Sequence, residues 1–177
     1  DLLKESFDKD DSRHEMIKII DASIRRLDEI VANFQQFARP VRPNFERIAL
    51  RSYLKDVLTF FEQSAELEEN NIKLENNLDD IDDKMEIVLD PVLIEQVLLS
   101  IMDNSVKAMQ QGGSLNVNVG EVLRERDNTR LISLQVADTG NGMVKKEIER
   151  FFTPFFSNRQ KGLGLSMTLA KNFISMH

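Results

Sequence analysis

Hydrophobic residues recur in alternating steps of three and four over the first part of the chain, up to about Ala38. This spacing places them along one side of a helix. Arg39-Pro40-Val41-Arg42-Pro43 ends the pattern, because proline lacks the N–H that a helix needs and restricts the residue before it. We therefore predict a helical segment over residues 1–43 and a separate domain over residues 44–177. The apolar positions are Ile17, Ile20, Ile24, Leu27, Val31, Phe34 and Ala38.

A continuous apolar side of a helix has to be buried against other helices. The partner is either another part of the same chain or a second chain. No second helix of matching length follows before the pattern changes, which favours a second chain. The pattern therefore implies a helical bundle or a dimer.

Beyond Pro43 helical and strand periods alternate. A helix is predicted from Leu50 to Phe61, and another from Asp90-Pro91 to Gln111, where an Asp cap and an early proline favour a helix start. Strands are predicted at Ile72 and Leu74, from Met85 to Leu89, from Leu115 to Val119 and from Leu131 to Val136, where apolar and polar residues alternate. A polar turn at Arg124–Arg130, a short helix at Lys145–Phe152 and a last helix from about Gly164 complete an α+β domain.

Composition excludes several classes of protein. The 177 residues carry a net charge of −7, which argues against a nucleic-acid binder with a basic face. Without cysteine there is no disulfide and no thiolate metal site. No apolar run approaches the ~18–20 residues of a membrane span. We expect a cytoplasmic location, with any membrane attachment provided by other parts of a parent protein.

The helix after Asp90 carries a polar stripe at Gln96, Ser100, Asn104 and Lys107. An amide oxygen can bind Mg²⁺, and an ammonium group one turn further can bind phosphate. A solvated helix face is the alternative.

Asp138-Thr139-Gly140-Asn141-Gly142 follows an apolar strand directly. The glycines permit positive φ and a close approach of backbone to a flat ligand. The carboxylate can accept a hydrogen bond from an exocyclic amine such as that of adenine. The alternative is an Asx turn that closes the strand.

Gly162-Leu163-Gly164-Leu165-Ser166 opens the last helix, where free N–H groups and the helix dipole favour phosphate. Arg159 and Lys161 precede it and are either phosphate contacts or surface charges.

Four phenylalanines surround Thr153-Pro154: Phe151, Phe152, Phe155 and Phe156. They form either a local core or the anchor of a lid, and core is the safer interpretation of any one of them.

Together these motifs resemble the N, G1, F and G2 boxes of the ATP-binding domain of sensor histidine kinases, from about Ile48 to His177. Arg25 to Val31, running into Phe37-Ala38-Arg39-Pro40, resembles the second helix of the family's dimerisation hairpin. The resemblance implies the Bergerat fold, a two-layer α/β sandwich with a mixed sheet and helices on one face. It also implies that a segment of a helical hairpin precedes this domain and forms a homodimer as part of a four-helix bundle. It also implies the cofactors ATP and Mg²⁺ and, as a partner, the receiver domain of a response regulator.

The family pattern makes Asn104 the Mg²⁺ ligand and Lys107 a phosphate contact, and these are the two predicted catalytic residues. It makes Asp138 the adenine-reading carboxylate, with Gly140 and Gly142 shaping its pocket. Gly162 and Gly164 become the hinge of a mobile lid. The other predicted nucleotide contacts are Phe155 and Phe156 as the lid anchor, and Arg159, Lys161, Leu163 and Leu165.

The sequence departs from the family at Ser100, where a second Asn is usual, and at Gln160, where the first G2 glycine is usual. His14 lacks the proline that normally follows the phosphoacceptor, so we expect the acceptor histidine upstream of Asp1. The last strands of the family's sheet are expected beyond His177.

The resemblance predicts an ATP-dependent protein-histidine kinase of a two-component system. One alternative is a superfamily ATPase that drives a conformational cycle; those relatives carry glutamate where Ser100 stands, because water needs a general base. Another is a nucleotide-binding scaffold without catalysis.

Overall fold

The computed structural model describes residues 16, 17, 19–24, 31, 41–126, 128–157 and 164–177. The chain divides into two units, Asp1–Val41 and Arg42–His177. In the first unit, the described residues between 16 and 31 are helical, which confirms the predicted helix there. Ile20, Ile24 and Val31 of the predicted apolar side are about half exposed. Leu27, Phe34 and Ala38 lie outside the described residues.

The second unit is an α+β domain, as the sequence predicts. Its helices are α1 (Leu50–Glu62), α2 (Ala65–Glu69), α3 (Pro91–Ala108), α4 (Lys145–Arg150) and α5 (Ser166–Met176). Its strands are β1 (Glu46–Ala49), β2 (Ile72–Asn76), β3 (Glu86–Leu89), β4 (Gly113–Arg124) and β5 (Thr129–Asp138). A short 3-10 helix spans Leu78–Asp80.

The strands form two sheets. In the three-stranded sheet β4 is central, parallel to β2 and antiparallel to β5, so the sheet is mixed. β1 and β3 form a separate antiparallel pair. Leu115 and Val117 of β4 are fully buried, whereas Asn118 on the other face is exposed. One face of the sheet is therefore covered by helices, which gives the two-layer sandwich.

The helices α1 and α3 supply most of the core over that face. The predicted apolar side of α1 is confirmed, since its five members are all buried: Leu50, Leu54, Val57, Leu58 and Phe61. In α3 the buried residues include Leu98 and Met102. The Tyr53 hydroxyl donates to the Pro91 carbonyl oxygen at 2.7 Å and joins the two helices.

Several predicted boundaries are wrong. α3 ends at Ala108 rather than at Gln111, because Met109 leaves helical geometry with its side chain buried and Gly112 turns the chain with φ +90°. α4 ends at Arg150 rather than Phe152, and α5 begins at Ser166 rather than Gly164.

The polar turn is confirmed at residues 125, 126 and 128, but the β4–β5 hairpin is longer than predicted, because β4 continues beyond Val119 to Arg124 and β5 begins at Thr129. The register continues to Arg124 opposite Thr129, and Glu121 and Arg130 form an ion pair at 3.7 Å. This end of the hairpin is exposed, so polar side chains are compatible with strand structure there.

The short elements α2, β1 and the 3-10 helix were not predicted. None of the helices in the part of the chain that the structure describes is both long and apolar enough to cross a bilayer.

Candidate functional site

Helix α3 carries the predicted polar stripe, and its start is fixed by Asp90. The Asp90 carboxylate accepts hydrogen bonds from Leu93 N at 3.0 Å and Asn44 N at 2.7 Å, while Pro91 occupies the first turn. Burial of Asp90 opposes its ionisation, but the backbone N–H groups that donate to the carboxylate outweigh it and lower the pKa of Asp90 below its ordinary value. The predicted cap is thus confirmed.

In the stripe itself Ser100 and Asn104 are half-buried and Lys107 is exposed. Asn104 Nδ2 donates to the Ser100 carbonyl oxygen at 2.9 Å, which leaves the oxygen as the acceptor end of the amide. The Lys107 ammonium forms an ion pair with Asp103 Oδ2 at 2.5 Å. Sequence reasoning missed Asp103, although a carboxylate four residues before a lysine on a helix is a recognisable signal.

The loop after β5 begins with Asp138, the last residue of the strand. Its Oδ1 accepts a hydrogen bond from Gly140 N at 2.9 Å, so the Asx turn that was the alternative interpretation is present. Among the described residues, no hydrogen bond engages Oδ2 of this exposed carboxylate. An Asx turn and a ligand contact are compatible, because they use different oxygens.

The same loop is attached to the end of α3. Asn141 N donates to the Ala108 carbonyl oxygen at 3.4 Å. A Cβ on Gly140 would lie 2.8 Å from that oxygen and 2.9 Å from Ala108 Cβ, so only glycine permits this approach. Ala108 is one helical turn after Asn104, and the attachment therefore brings the Asp138 loop to the end of the stripe that carries Asn104 and Lys107.

Gly142 is a glycine for a different reason. Its φ is +65°, and a Cβ at this position would have no described atom within 4 Å. The loop therefore turns in the left-handed region, with open space beside this residue.

Thr139, which sequence reasoning did not single out as a functional residue, fixes the loop to β4. Its hydroxyl accepts a hydrogen bond from Ser114 N at 3.0 Å, and its own N–H donates to Ser114 O at 3.2 Å. A hydroxyl residue directly after a strand is the signal that points to such a contact.

Two of the four aromatic residues are not part of a local core. Phe155 is 64% exposed and Phe152 is 43% exposed, so the core interpretation is wrong for both. Phe155 also has φ +62°, which is uncommon for a bulky residue. Phe156 is half-buried, with the Arg150 guanidinium 4.5 Å from its ring centroid.

The aromatic segment is held by main-chain contacts at the start of α5. Phe155 N donates to the Gly164 carbonyl oxygen at 3.1 Å, and Thr168 Oγ1 donates to the Phe152 carbonyl oxygen at 3.2 Å. Gly164 has φ +65°, and a Cβ there would overlap the main chain of Phe156. Leu165 is fully buried, so any nucleotide contact at this residue has to come from its main chain. Four predicted contacts lie outside the described residues: Arg159, Lys161, Gly162 and Leu163.

The residues present fit a magnesium nucleotide. An amide oxygen at Asn104 is a hard donor of the kind Mg²⁺ accepts, and the exposed Lys107 ammonium and Asp138 carboxylate suit a phosphate and an exocyclic amine. Among the described residues, no group of three or more His, Asp or Glu could hold a metal. One protein ligand is typical of Mg²⁺ bound chiefly through substrate phosphates and water.

A cavity of about 540 Å³ lies elsewhere, between α1 and the 3-10 helix. It contains none of the predicted site residues, and Arg51 in its wall is engaged by Asp79 at 2.7 Å and Asp83 at 2.6 Å. The volume of this cavity therefore does not indicate where a nucleotide binds.

Residues 89–177 match the family model described as Histidine kinase-, DNA gyrase B-, and HSP90-like ATPase. Sporulation kinase C of Bacillus subtilis (strain 168) is 28% identical over 165 residues, which cover 93% of this chain and 36% of that protein. The chain thus spans about a third of the length of the curated relatives it matches.

Two solved structures share the fold. Full-length ShkA in complex with AMPPNP has a TM-score of 0.70 at 18% identity, covering 98% of this chain and 36% of that one. Histidine kinase ThkA in complex with the response regulator protein TrrA has a TM-score of 0.66 at 21% identity, covering 87% of this chain and 43% of that one. Since the family model covers 89 of the 177 residues, the chain belongs to the histidine kinase-, DNA gyrase B- and HSP90-like ATPase family, and its curated relatives include the sensor histidine kinase ZraS of Escherichia coli O157:H7, which is 24% identical over 93% of this chain and 34% of that protein.

Proposed function

We propose that this chain is the catalytic region of a two-component sensor kinase, which binds Mg²⁺-ATP and transfers the γ-phosphoryl group to a histidine. The acceptor histidine belongs to the dimerisation hairpin, of which residues 1–43 are a part and through which two chains pair. The phosphoryl group then passes to an aspartate on the receiver domain of a response regulator. ThkA, which shares the fold, has been solved with a response regulator protein, and ShkA with AMPPNP.

The observation that carries the proposal is the attachment of the Asp138 loop to the end of α3. Asn141 N bonds to the Ala108 carbonyl, one turn beyond Asn104 and next to Lys107. An adenine-reading carboxylate, a metal-binding amide and a phosphate-binding ammonium then belong to one continuous surface. A purine triphosphate needs these three chemistries at separate points along its length.

The role of each residue follows from its surroundings. Asp138 accepts the adenine amine through the oxygen that Gly140 N does not use. The Asn104 amide is oriented by its bond to Ser100 O and presents its oxygen to Mg²⁺. Mg²⁺, when bound, neutralises charge on the phosphates and orients the γ-phosphoryl group.

The remaining nucleotide contacts are proposed from the family pattern. Lys107 contacts a phosphate, and the main chain at Gly140 and Gly142 borders the adenine. Catalysis then rests on positioning and on electrostatic stabilisation rather than on covalent work by the protein. Around the phosphates we assign Phe155, Phe156, Arg159, Lys161, Gly162, Leu163, Gly164 and Leu165.

A transfer assay tests the proposal. The chain is mixed with γ-labelled ATP, Mg²⁺ and an intact dimerisation hairpin, and acid-labile label on histidine is measured. Asp138→Asn should weaken ATP binding about 10- to 100-fold, because a hydrogen bond to a charged group is lost. Asp80→Asn makes the same chemical change at an exposed residue of the 3-10 helix and should leave the label unchanged.

The outcome also separates the alternative functions. Label on histidine that is undiminished in Asp138→Asn would overturn the proposed site. Steady phosphate release without label on histidine would indicate a conformational ATPase. Ser100 argues against that outcome, because a serine at this place does not supply the general base that such enzymes use.

A further inference from the structure

The Asp103–Lys107 ion pair affects the residue that is assigned to the phosphates. Lys107 Nζ lies 2.5 Å from Asp103 Oδ2, and the side chains are 48% and 42% exposed. Asp103 immediately precedes Asn104, about 100° around the helix from it. The ion pair therefore draws the ammonium towards one side of the stripe formed by Ser100 and Asn104.

An exposed pair of this type is weak enough to be exchanged. Pairs four residues apart on a helix shift an equilibrium by about twofold, and salt screens them. A lysine ammonium has three donors and no preferred acceptor geometry, so a phosphate oxygen can replace the carboxylate. With Lys107 facing the phosphates, the Asp103 carboxylate one helical turn before it also repels them.

We propose that Asp103 is a positioning residue that competes with nucleotide phosphate for the Lys107 ammonium. This inference rests on the proposed function, because it requires Lys107 to face the phosphates. The competition lowers the affinity for ATP and ADP but not for adenosine, which has no phosphate. Asp103 thereby reduces the difference in affinity between ATP or ADP and adenosine. It also favours release of the diphosphate product.

A double-mutant cycle on the full chain tests the competition. Asp103→Asn, Lys107→Gln and the double variant are titrated calorimetrically with Mg²⁺-ATP, Mg²⁺-ADP and adenosine. Asp103→Asn alone should bind ATP and ADP about two- to fivefold more tightly than wild type, as expected for loss of an exposed pair and of one repulsive charge. Its affinity for adenosine should not change.

The Lys107 background supplies the decisive comparison. When Lys107 is replaced by Gln, Asp103→Asn should improve the affinity for ATP by less than about half of the gain that it gives with Lys107 present, because no ammonium is left to release. Asp103→Glu keeps the charge and should restore wild-type affinities. The gain in Asp103→Asn should also shrink in about 0.5 M salt, where exposed charges are screened.

The failures are distinguishable. Three results would each overturn the competition: weaker ATP binding by Asp103→Asn than by wild type, a full gain in ATP affinity from Asp103→Asn when Lys107 is replaced, or an equal change in the affinity for adenosine. Loss of ATP binding in Asp138→Asn would still leave the proposed function standing. Absence of any Mg²⁺-ATP binding by wild type overturns both. Thermal melts of all variants show whether Asp103 acts only on helix stability, which would lower the melting temperature and leave affinities unchanged.

Discussion

The loop 138–142 and the aromatic segment 151–156 are both assigned to the nucleotide, yet they are anchored in different ways. The loop is fixed to a core helix and a core strand, through Asn141 to Ala108 and through Thr139 to Ser114. The aromatic segment is fixed to the start of α5, and its Phe155 side chain is exposed. The comparison indicates that the loop proposed to hold adenine is fixed to the core on two sides, whereas the aromatic segment depends on two hydrogen bonds and on the close main-chain approach of Gly164 to Phe156.

The largest effect is expected at that approach. Gly164→Ala should lower the free energy of unfolding by about 3 kcal/mol, from a left-handed backbone and from overlap with the Phe156 main chain. Urea denaturation measures it. Gly142→Ala is the matched control, because Gly142 has the same φ of +65° but open space around a Cβ, and it should lose only about 1–2 kcal/mol. Equal losses would show that the contact with Phe156 contributes nothing.

The next effect tests the loop. Gly140→Ala should cost about 2 kcal/mol, because a Cβ would lie 2.8 Å from the Ala108 carbonyl oxygen. It should also weaken ATP binding, since the loop has to leave α3. Gly120→Ala, with no described atom within 4 Å of a Cβ, should change neither quantity appreciably. Unchanged unfolding and binding in Gly140→Ala would mean that the loop is not held by the helix.

A third prediction concerns the start of α3, the helix on which the loop depends. Asp90→Asn should lower stability by about 1–2 kcal/mol at pH 7, because the charged cap and its backbone donors are weakened. The pKa of Asp90 is lowered in the folded state, so this stabilisation is complete above the unfolded pKa of about 3.9 and is lost as pH falls through the folded pKa. Urea titrations at pH 7 and about pH 2 should therefore show a smaller difference between wild type and variant in acid than at pH 7. A difference that is undiminished in acid would exclude the ionised carboxylate as its source.

The smallest effect is expected at Phe155. Phe155→Asn should raise the free energy of unfolding by about 0.5 kcal/mol, because asparagine tolerates positive φ and little apolar surface is lost. Phe60→Asn changes an equally exposed phenylalanine inside α1 and should leave the stability nearly unchanged, because the helix propensities of Phe and Asn are similar. Destabilisation in Phe155→Asn would show that Phe155 is held by side-chain packing.

The sequence predicts the elements better than their ends. The apolar side of α1 and the Asp90 cap are local signals, because periodicity and capping chemistry act within one or two turns. The end of α3 depends on burial of Met109, and the length of the β4–β5 hairpin depends on pairing across the strands, so neither can be obtained from a local pattern.

The same limit applies to the site. The Asn104, Asp138 and glycine motifs were found because each carries its own chemistry. Which glycine needs positive φ and which needs space depends on neighbours distant in sequence: Gly140 faces Ala108, whereas Gly142 faces open space. The exposure of Phe155 could not be predicted either, because four closely spaced phenylalanines are compatible with a core as well as with a surface.

The last described residue gives the domain a built-in spectroscopic reporter. His177 Nε2 accepts a hydrogen bond from Asp90 N at 2.9 Å, and Nδ1 lies 2.7 Å from the Phe173 carbonyl oxygen, an arrangement in which Nδ1 is the donor. The ring thereby joins the end of α5 to the residue that starts α3. With only two histidines in the chain, its imidazole ¹⁵N resonances can be assigned with a His14→Gln variant. A change in those resonances on adding nucleotide would reveal whether the two helices move relative to each other.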